Sequence, residues 1–253
     1  MRRAPARRSA RGGARMVLAQ ALAILALAGC GGGGDTQLKV SAASSLKVAL
    51  PSYEPGASYS FAGSDELAAQ IRAGARPDVF AAANTTLPDD LHARGLLERP
   101  VVFATNRLVI AVPAGSAKVR SIEDLSRPGV TVAAGSRSVP VGAYTRAVLA
   151  RLGEREAEEV EANVRSNEPD VAGVVGKVTQ GAVDAGLVYV TDVKAAGGRL
   201  KAIPIPARLQ PTVRYAAAVV RGTKHAGDAR AFVDGLVRGK GTEALRAAGF
   251  GAP

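Results

Sequence analysis

Short apolar runs alternate with amphipathic stretches along most of the chain. Leu38 to Ala43, Ser58 to Ala62 and Asp78 to Ala83 read as strands. Ser45 to Tyr53 and Asp65 to Ala73 read as the helices between them, the second with Leu67, Ala68 and Ile71 on one face. The rhythm continues with a helix over Leu87 to Arg94, a strand over Leu108 to Val112 and a short helix from Ile122 to Leu125. A strand over Val130 to Ala134, helices over Ala143 to Leu152 and Ala172 to Gln180, and a strand over Ala185 to Val190 follow. Strands over Ala202 to Ile205 and Tyr215 to Val220 precede two closing helices, Ala226 to Leu236 and Gly241 to Ala248. Alternation of this kind predicts an α/β fold with largely parallel sheets.

Two positions suggest two sheets rather than one. Val109-Ile110-Ala111-Val112-Pro113 is an apolar strand ended by proline, after which a fresh series begins, and Tyr215 to Val220 is followed only by helices. The chain is therefore expected to leave a first lobe (37–112), form a second (113–213), and return to complete the first (214–253). Paired crossovers act as a hinge, and the cleft between two lobes is the usual place for a small ligand.

The first thirty residues follow different rules. Arg2, Arg3, Arg7, Arg8, Arg11 and Arg15 precede an apolar run from Val17 to Leu27 that is too short to span a bilayer, so 1–30 reads as an export signal. Twin arginines at 2–3 and 7–8 leave general secretion and twin-arginine export both open, and Met16 is an alternative start. The only cysteine, Cys30, ends Leu27-Ala28-Gly29-Cys30, which resembles the lipobox of bacterial lipoproteins, whose thiol is acylated as the signal is removed. Gly31 to Gly34 then make 31–36 a flexible linker. The protein is thus expected outside the cytoplasm, lipid-anchored to the membrane, with no partner cysteine for a disulfide.

Removing that signal also changes the charge. The whole chain carries +11, but six of its 33 Lys+Arg and none of its 22 Asp+Glu lie in the signal, leaving +5. Those charges are scattered, tryptophan is absent and aromatics are few, so nucleic acid is not an expected partner.

The catalytic inventory is thin. His92 and His225 sit in polar stretches and do not recur at ligand spacing with Cys, Asp or Glu, so no zinc site is legible. Ser44-Ser45-Leu46-Lys47 matches the serine-x-x-lysine pattern of penicillin-binding proteins, which leaves open a serine acyl-transfer enzyme built on Ser44 and Lys47. Its companions are missing: Ser64-Asp65 is followed by Glu66, and Lys240-Gly241-Thr242 has the wrong order. What stands out instead is four turns between strand ends and helix starts, at 42–46, 61–67, 138–142 and 167–171. Helix N-termini offer unpaired N–H groups and partial positive charge, and bind anions without lysine or arginine. Taken singly, each serine there also suits an ordinary helix cap.

These residues resemble a family. Ala-Ala-Ser-Ser-Leu at 42–46, Phe-Ala-Gly-Ser-Asp-Glu-Leu-Ala-Ala-Gln-Ile at 61–71 and Pro-Asp-Val-Phe-Ala-Ala-Ala at 77–83 are similar to the periplasmic molybdate-binding proteins of ABC importers. So are Asn-Arg-Leu-Val-Ile-Ala-Val-Pro at 106–113, Val-Pro-Val-Gly-Ala-Tyr at 139–144, Asp-Ala-Gly-Leu-Val-Tyr-Val-Thr-Asp-Val at 184–193, Ala-Phe-Val-Asp-Gly-Leu at 231–236 and Ala-Ala-Gly-Phe at 247–250. The resemblance implies a two-lobed periplasmic-binding-protein fold of type II, two sheets joined by a two-crossover hinge, and no enzyme activity. It implies a monomer that takes molybdate or tungstate to a membrane permease, with no cofactor and no metal held by direct cation ligands. Residue by residue it implies that Ser45 and Ser64 donate through hydroxyl and backbone N–H, Val141 and Val171 through backbone N–H, and Tyr189 through its hydroxyl.

The chain departs from the family in a shortened stretch between Ser45 and Ser64 and in Asp65 and Asp170, which stand beside proposed donors. Both carboxylates are expected to point outward and cap their helices, and Ser44 to face away from the ligand. A sulfate or thiosulfate carrier is the nearest rival. An iron carrier would want clustered tyrosines, whereas Tyr53, Tyr59, Tyr144, Tyr189 and Tyr215 are dispersed in the sequence.

Overall fold

A computed structural model of the chain describes residues 37–253; the signal, Cys30 and the linker lie outside the described residues. The first sheet takes β1 (Lys39–Ala43), β2 (Ser58–Ala62), β3 (Val79–Ala82), β4 (Val101–Asn106) and β10 (Val213–Val219), in the order β2-β1-β3-β10-β4. The second takes β5 (Leu108–Pro113), β6 (Val132–Gly135), β7 (Val164–Glu168), β8 (Ala185–Tyr189) and β9 (Leu200–Pro204), in the order β7-β6-β8-β5-β9. The two orders match strand for strand.

In each sheet the first three strands are parallel, and the fourth position holds a strand antiparallel to both neighbours: β10 against β3 and β4, β5 against β8 and β9. The sheets are therefore half parallel, not largely so. The antiparallel strand is in each case the one that has just arrived from the other sheet. The first crossover consequently falls at Arg107, between β4 and β5, not near residue 113. Leu108–Pro113 pairs with β8 and β9, so the apolar run assigned above to the first lobe belongs to the second.

The strands that read as unbroken apolar runs are buried on both faces, as strands covered by helices on each side must be. Alternate residues of β3 and β10 point opposite ways. Phe80, Ala82 and Ala218 meet Leu67 and Ile71 of α2 (Ser64–Arg72) and Leu91 of α3 (Thr86–Ala93). Val79, Ala81, Ala217 and Val219 join the larger core with Leu50 of α1 (Ala49–Tyr53), Phe232 and Leu236 of α8 (Ala226–Val237) and Leu245 of α9 (Lys240–Ala248). The second sheet is packed by α4 (Pro140–Leu152), α6 (Val171–Thr179) and α7 (Val190–Ala195), with α5 (Glu154–Asn163) lying against α4.

The two crossovers are tied together. Gln210, just ahead of β10, donates through Nε2 to the Leu108 carbonyl at 2.7 Å and accepts the Leu108 N–H at 3.3 Å. Lys194 of α7 also donates to the Ala247 carbonyl of α9 at 2.7 Å.

Glycine is required where β6 turns into α4. A Cβ on Gly142 would run into the Ser136 carbonyl and lie 2.5 Å from the Gly135 carbonyl oxygen. Gly142→Ala is expected to destabilise the fold by about 1–3 kcal/mol through overpacking, read as a lower urea midpoint. An unchanged midpoint would mean that the turn yields without cost.

Candidate functional site

Every parallel strand in both sheets ends at one cavity, as ligands in α/β sheets lie beyond the carboxyl ends of the strands. Ala43 ends β1, Ala62 ends β2 and Ala83 follows β3; all three line it, with Ser44, Ser45, Gly63 and Ser64. From the second sheet come Val139, Pro140 and Val141 after β6, Asp170 and Val171 after β7, and Tyr189 at the end of β8. The structure thus brings together Ser45, Ser64, Val141, Val171 and Tyr189. The volume is about 20 Å³, enough for a compact ion and far below the ~300 Å³ at which pockets for organic ligands begin.

Three helices of nine residues or more begin at this cavity. Ser64 and Val171 are the first residues of α2 and α6, and Val141 is the second of α4, after a proline that has no N–H to offer. The first N–H groups of a helix have no partner within it and carry partial positive charge. No lysine or arginine lines the cavity.

The serine hydroxyls are set up alike. Ser64 Oγ accepts the Ala83 N–H at 3.1 Å, so its hydrogen is left for the cavity. Ser45 Oγ lies 2.9 Å from the Tyr215 hydroxyl. Tyr189 Oη is buried and has no partner of hydrogen-bond geometry. Burial raises the pKa of both Tyr189 and Tyr215 well above the ordinary value, so each phenol keeps its hydrogen at neutral pH. An orphaned buried hydroxyl is costly and calls for a ligand or an explanation.

The lobes touch at the cavity mouth. A Cβ on Gly63 would lie 2.5 Å from the Pro169 carbonyl oxygen and 3.4 Å from Val139 Cγ1, both across the cleft. Glycine at the start of α2 permits that approach, and the cleft is closed in this conformation.

Three expectations need correction. Ser44 lines the cavity and does not face away, because the turn at Ser44–Leu46 is a single 3-10 turn that presents both serines. Asp170 does cap its helix, accepting the Gly173 N–H at 2.8 Å, yet it remains part of the lining. Asp65 Oδ1 does not cap α2 from outside: it is buried without a partner. Lys47, the would-be partner of Ser44 in acyl transfer, is exposed and outside the lining.

Sequence reasoning found Tyr189 but missed the two rings that flank it behind the cavity. Tyr144, Tyr189 and Tyr215 form a row of edge-on rings with centroids 6.4 and 5.8 Å apart, running from α4 through β8 to β10. Only Tyr189 of the three reaches the lining. Among the described residues no group of three His, Cys, Asp or Glu side chains is placed to hold a metal ion.

A family model for bacterial extracellular solute-binding proteins matches residues 56–251. The chain belongs to this family. It is 36% identical to the molybdate-binding protein ModA of Mycobacterium bovis, over 93% of this chain and 97% of that one. It is 29% identical to the molybdate-binding protein ModA of Escherichia coli strain K12, over 76% of each. The periplasmic molybdate-binding protein of Azotobacter vinelandii has the same fold, with a TM-score of 0.75 at 22% identity, covering 86% of this chain and all of that one. The family binds solutes outside the cell and is not a family of enzymes.

Asp192 lies behind the site, accepting the Tyr189 N–H at 2.9 Å. Burial pushes its carboxyl up to about 7; the Tyr189 N–H opposes the shift and nearby Asp170 adds to it. A raised carboxyl contributes stability that is complete below about pH 4 and lost as pH rises through about 7. Asp192→Asn keeps an acceptor for Tyr189 and removes the buried charge. Chemical denaturation should show it gaining roughly 1–4 kcal/mol on the parent between pH 4 and pH 8; parallel pH profiles would refute that assignment.

Proposed function

We propose that this protein captures molybdate, or tungstate, between its lobes and delivers it to the membrane permease of an ABC importer. The observation that carries the reading is the compact cavity lined by neutral donors from both lobes, with Ser45, Ser64, Val141, Val171 and Tyr189 as the contacts. Two relatives named for molybdate binding support the choice of ion.

The chemistry follows from the donor set. A doubly charged tetrahedral ion loses a large hydration energy on burial. Several hydrogen bonds to a charged acceptor, each worth roughly 1.5–3 kcal/mol, offset that loss. Neutral donors hold the ion without locking it to a fixed cation, which suits a carrier that must let go. The five contacts are donors and give the hydrogen of a protonated oxyanion no acceptor, which disfavours phosphate. Asp170 is the one carboxylate in the lining, and its Oδ1 already accepts the Gly173 N–H. Contacts from both lobes make the closed form the one the ion favours.

Calorimetric titration with molybdate, tungstate and sulfate tests the ion. Ser45→Ala and Ser64→Ala each remove a hydroxyl and keep the backbone N–H, so each should weaken molybdate by roughly ten- to a hundredfold. Lys47→Ala should leave affinity unchanged. Wild-type affinity in both serine variants would place the ion elsewhere, and tighter sulfate than molybdate would make this the rival carrier.

The protein acts as a monomer held to the membrane by lipid on Cys30, the first residue after signal removal. Cys30→Ser should abolish lipid labelling and leave unprocessed precursor; undiminished labelling would rule out this anchor.

A further inference from the structure

Behind Ser45 runs a hydrogen-bond chain that the cavity's shape does not require. Tyr215 Oη lies 2.9 Å from Ser45 Oγ and 3.4 Å from Asn106 Nδ2. Asn106 Nδ2 also donates to Thr191 Oγ1 at 2.9 Å, while Asn106 Oδ1 accepts the Arg107 N–H at 2.9 Å. A backbone N–H can only donate, so the Arg107 contact decides which end of the Asn106 amide is oxygen. The other end is NH₂, which also can only donate.

The direction of the whole chain follows. Tyr215 Oη faces a donor at Asn106 and lies near the Tyr189 hydroxyl. Of its other neighbours only Ser45 Oγ is at hydrogen-bond distance, 2.9 Å, and it takes the Tyr215 hydrogen. Ser45 then receives a hydrogen from behind, and its own hydrogen turns toward the cavity. Ser64 reaches the same state by accepting the Ala83 N–H. Asn106 is the last residue of β4, beside the first crossover, so this polarity is set at the hinge itself.

We propose that Tyr215 and Asn106 are positioning residues that hold the Ser45 hydroxyl as a donor toward the cavity, and thereby favour a fully deprotonated oxyanion over one that carries a hydrogen. The inference rests on the reading of Ser45 as a contact to the ion. Without the Tyr215 hydrogen, the Ser45 hydroxyl is free to rotate and accept a hydrogen from a protonated oxyanion. The Tyr215 ring packs edge-on against Phe103, Tyr189 and Phe250, and Tyr215→Phe preserves that packing.

The test is a double-mutant cycle by calorimetry on the parent protein, Tyr215→Phe, Ser45→Ala and the double variant. Each is titrated with molybdate, and phosphate affinity is read at pH 6 by competition with molybdate. Tyr215→Phe should weaken molybdate about three- to tenfold and narrow the preference for molybdate over phosphate. It should change nothing further once Ser45 is replaced. An equal loss in the Ser45→Ala background, or an unchanged preference, overturns the inference and leaves the Ser45 contact standing. Molybdate affinity untouched by Ser45→Ala overturns both. If Tyr215→Phe does not fold, Asn106→Ala enters the same cycle, and absence of coupling to Ser45 overturns the inference.

Discussion

A cavity that holds negative charge with neutral groups depends on direction: each N–H and hydroxyl must end with its hydrogen facing one small volume. No single helix can arrange this, because its free N–H groups point along its axis from one side. The two matched sheets solve it. Three parallel strands in each lobe end on the same side, each handing the chain to a turn or a helix start, and the lobes face each other across those ends. The alanines closing β1 and β2 and the one following β3 leave room for the backbone to approach the cavity.

Exchanging one strand between lobes makes the arrangement movable yet registered. β5 enters the second sheet and β10 returns to the first, each antiparallel to its new neighbours, so the two chain crossovers among the described residues lie side by side. Gln210 clamps one link to the other through the Leu108 backbone. Asn106 sits at the end of β4 and reaches both Tyr215 of the first sheet and Thr191 of α7, which packs on the second. Such paired links permit a hinge rotation while resisting a slide.

Much of this was legible in the sequence, and the misses share a cause. β1, β3 and β8 announce themselves because burial on both faces demands unbroken apolar runs. β7, with the sequence Val-Arg-Ser-Asn-Glu, is an edge strand with few buried positions, and periodicity cannot find it. β4, an edge strand of the first sheet, begins at an exposed valine, and α5 buries only Val160 and Asn163. The cavity residues were legible because they cluster in local strand-to-helix turns. Tyr215 and Asn106 were not, since their contacts join residues 170 and 109 positions apart and no local pattern marks such a pair.

The carboxylates beside the cavity show how tightly its charge is managed. Asp170 lines it, yet spends Oδ1 on the Gly173 N–H and so takes one donor of α6 out of the cavity. Asp65 lies one residue beyond Ser64, with Oδ1 buried beside the start of α2. Both carboxylates sit at helix N-termini, where partial positive charge favours an anion. The same fields that attract an ion into the cavity therefore also hold these two side chains. With no lysine or arginine in the lining to absorb the repulsion, an ion enters only if it accepts enough hydrogen bonds at once. That requirement favours a small ion with acceptors on every side.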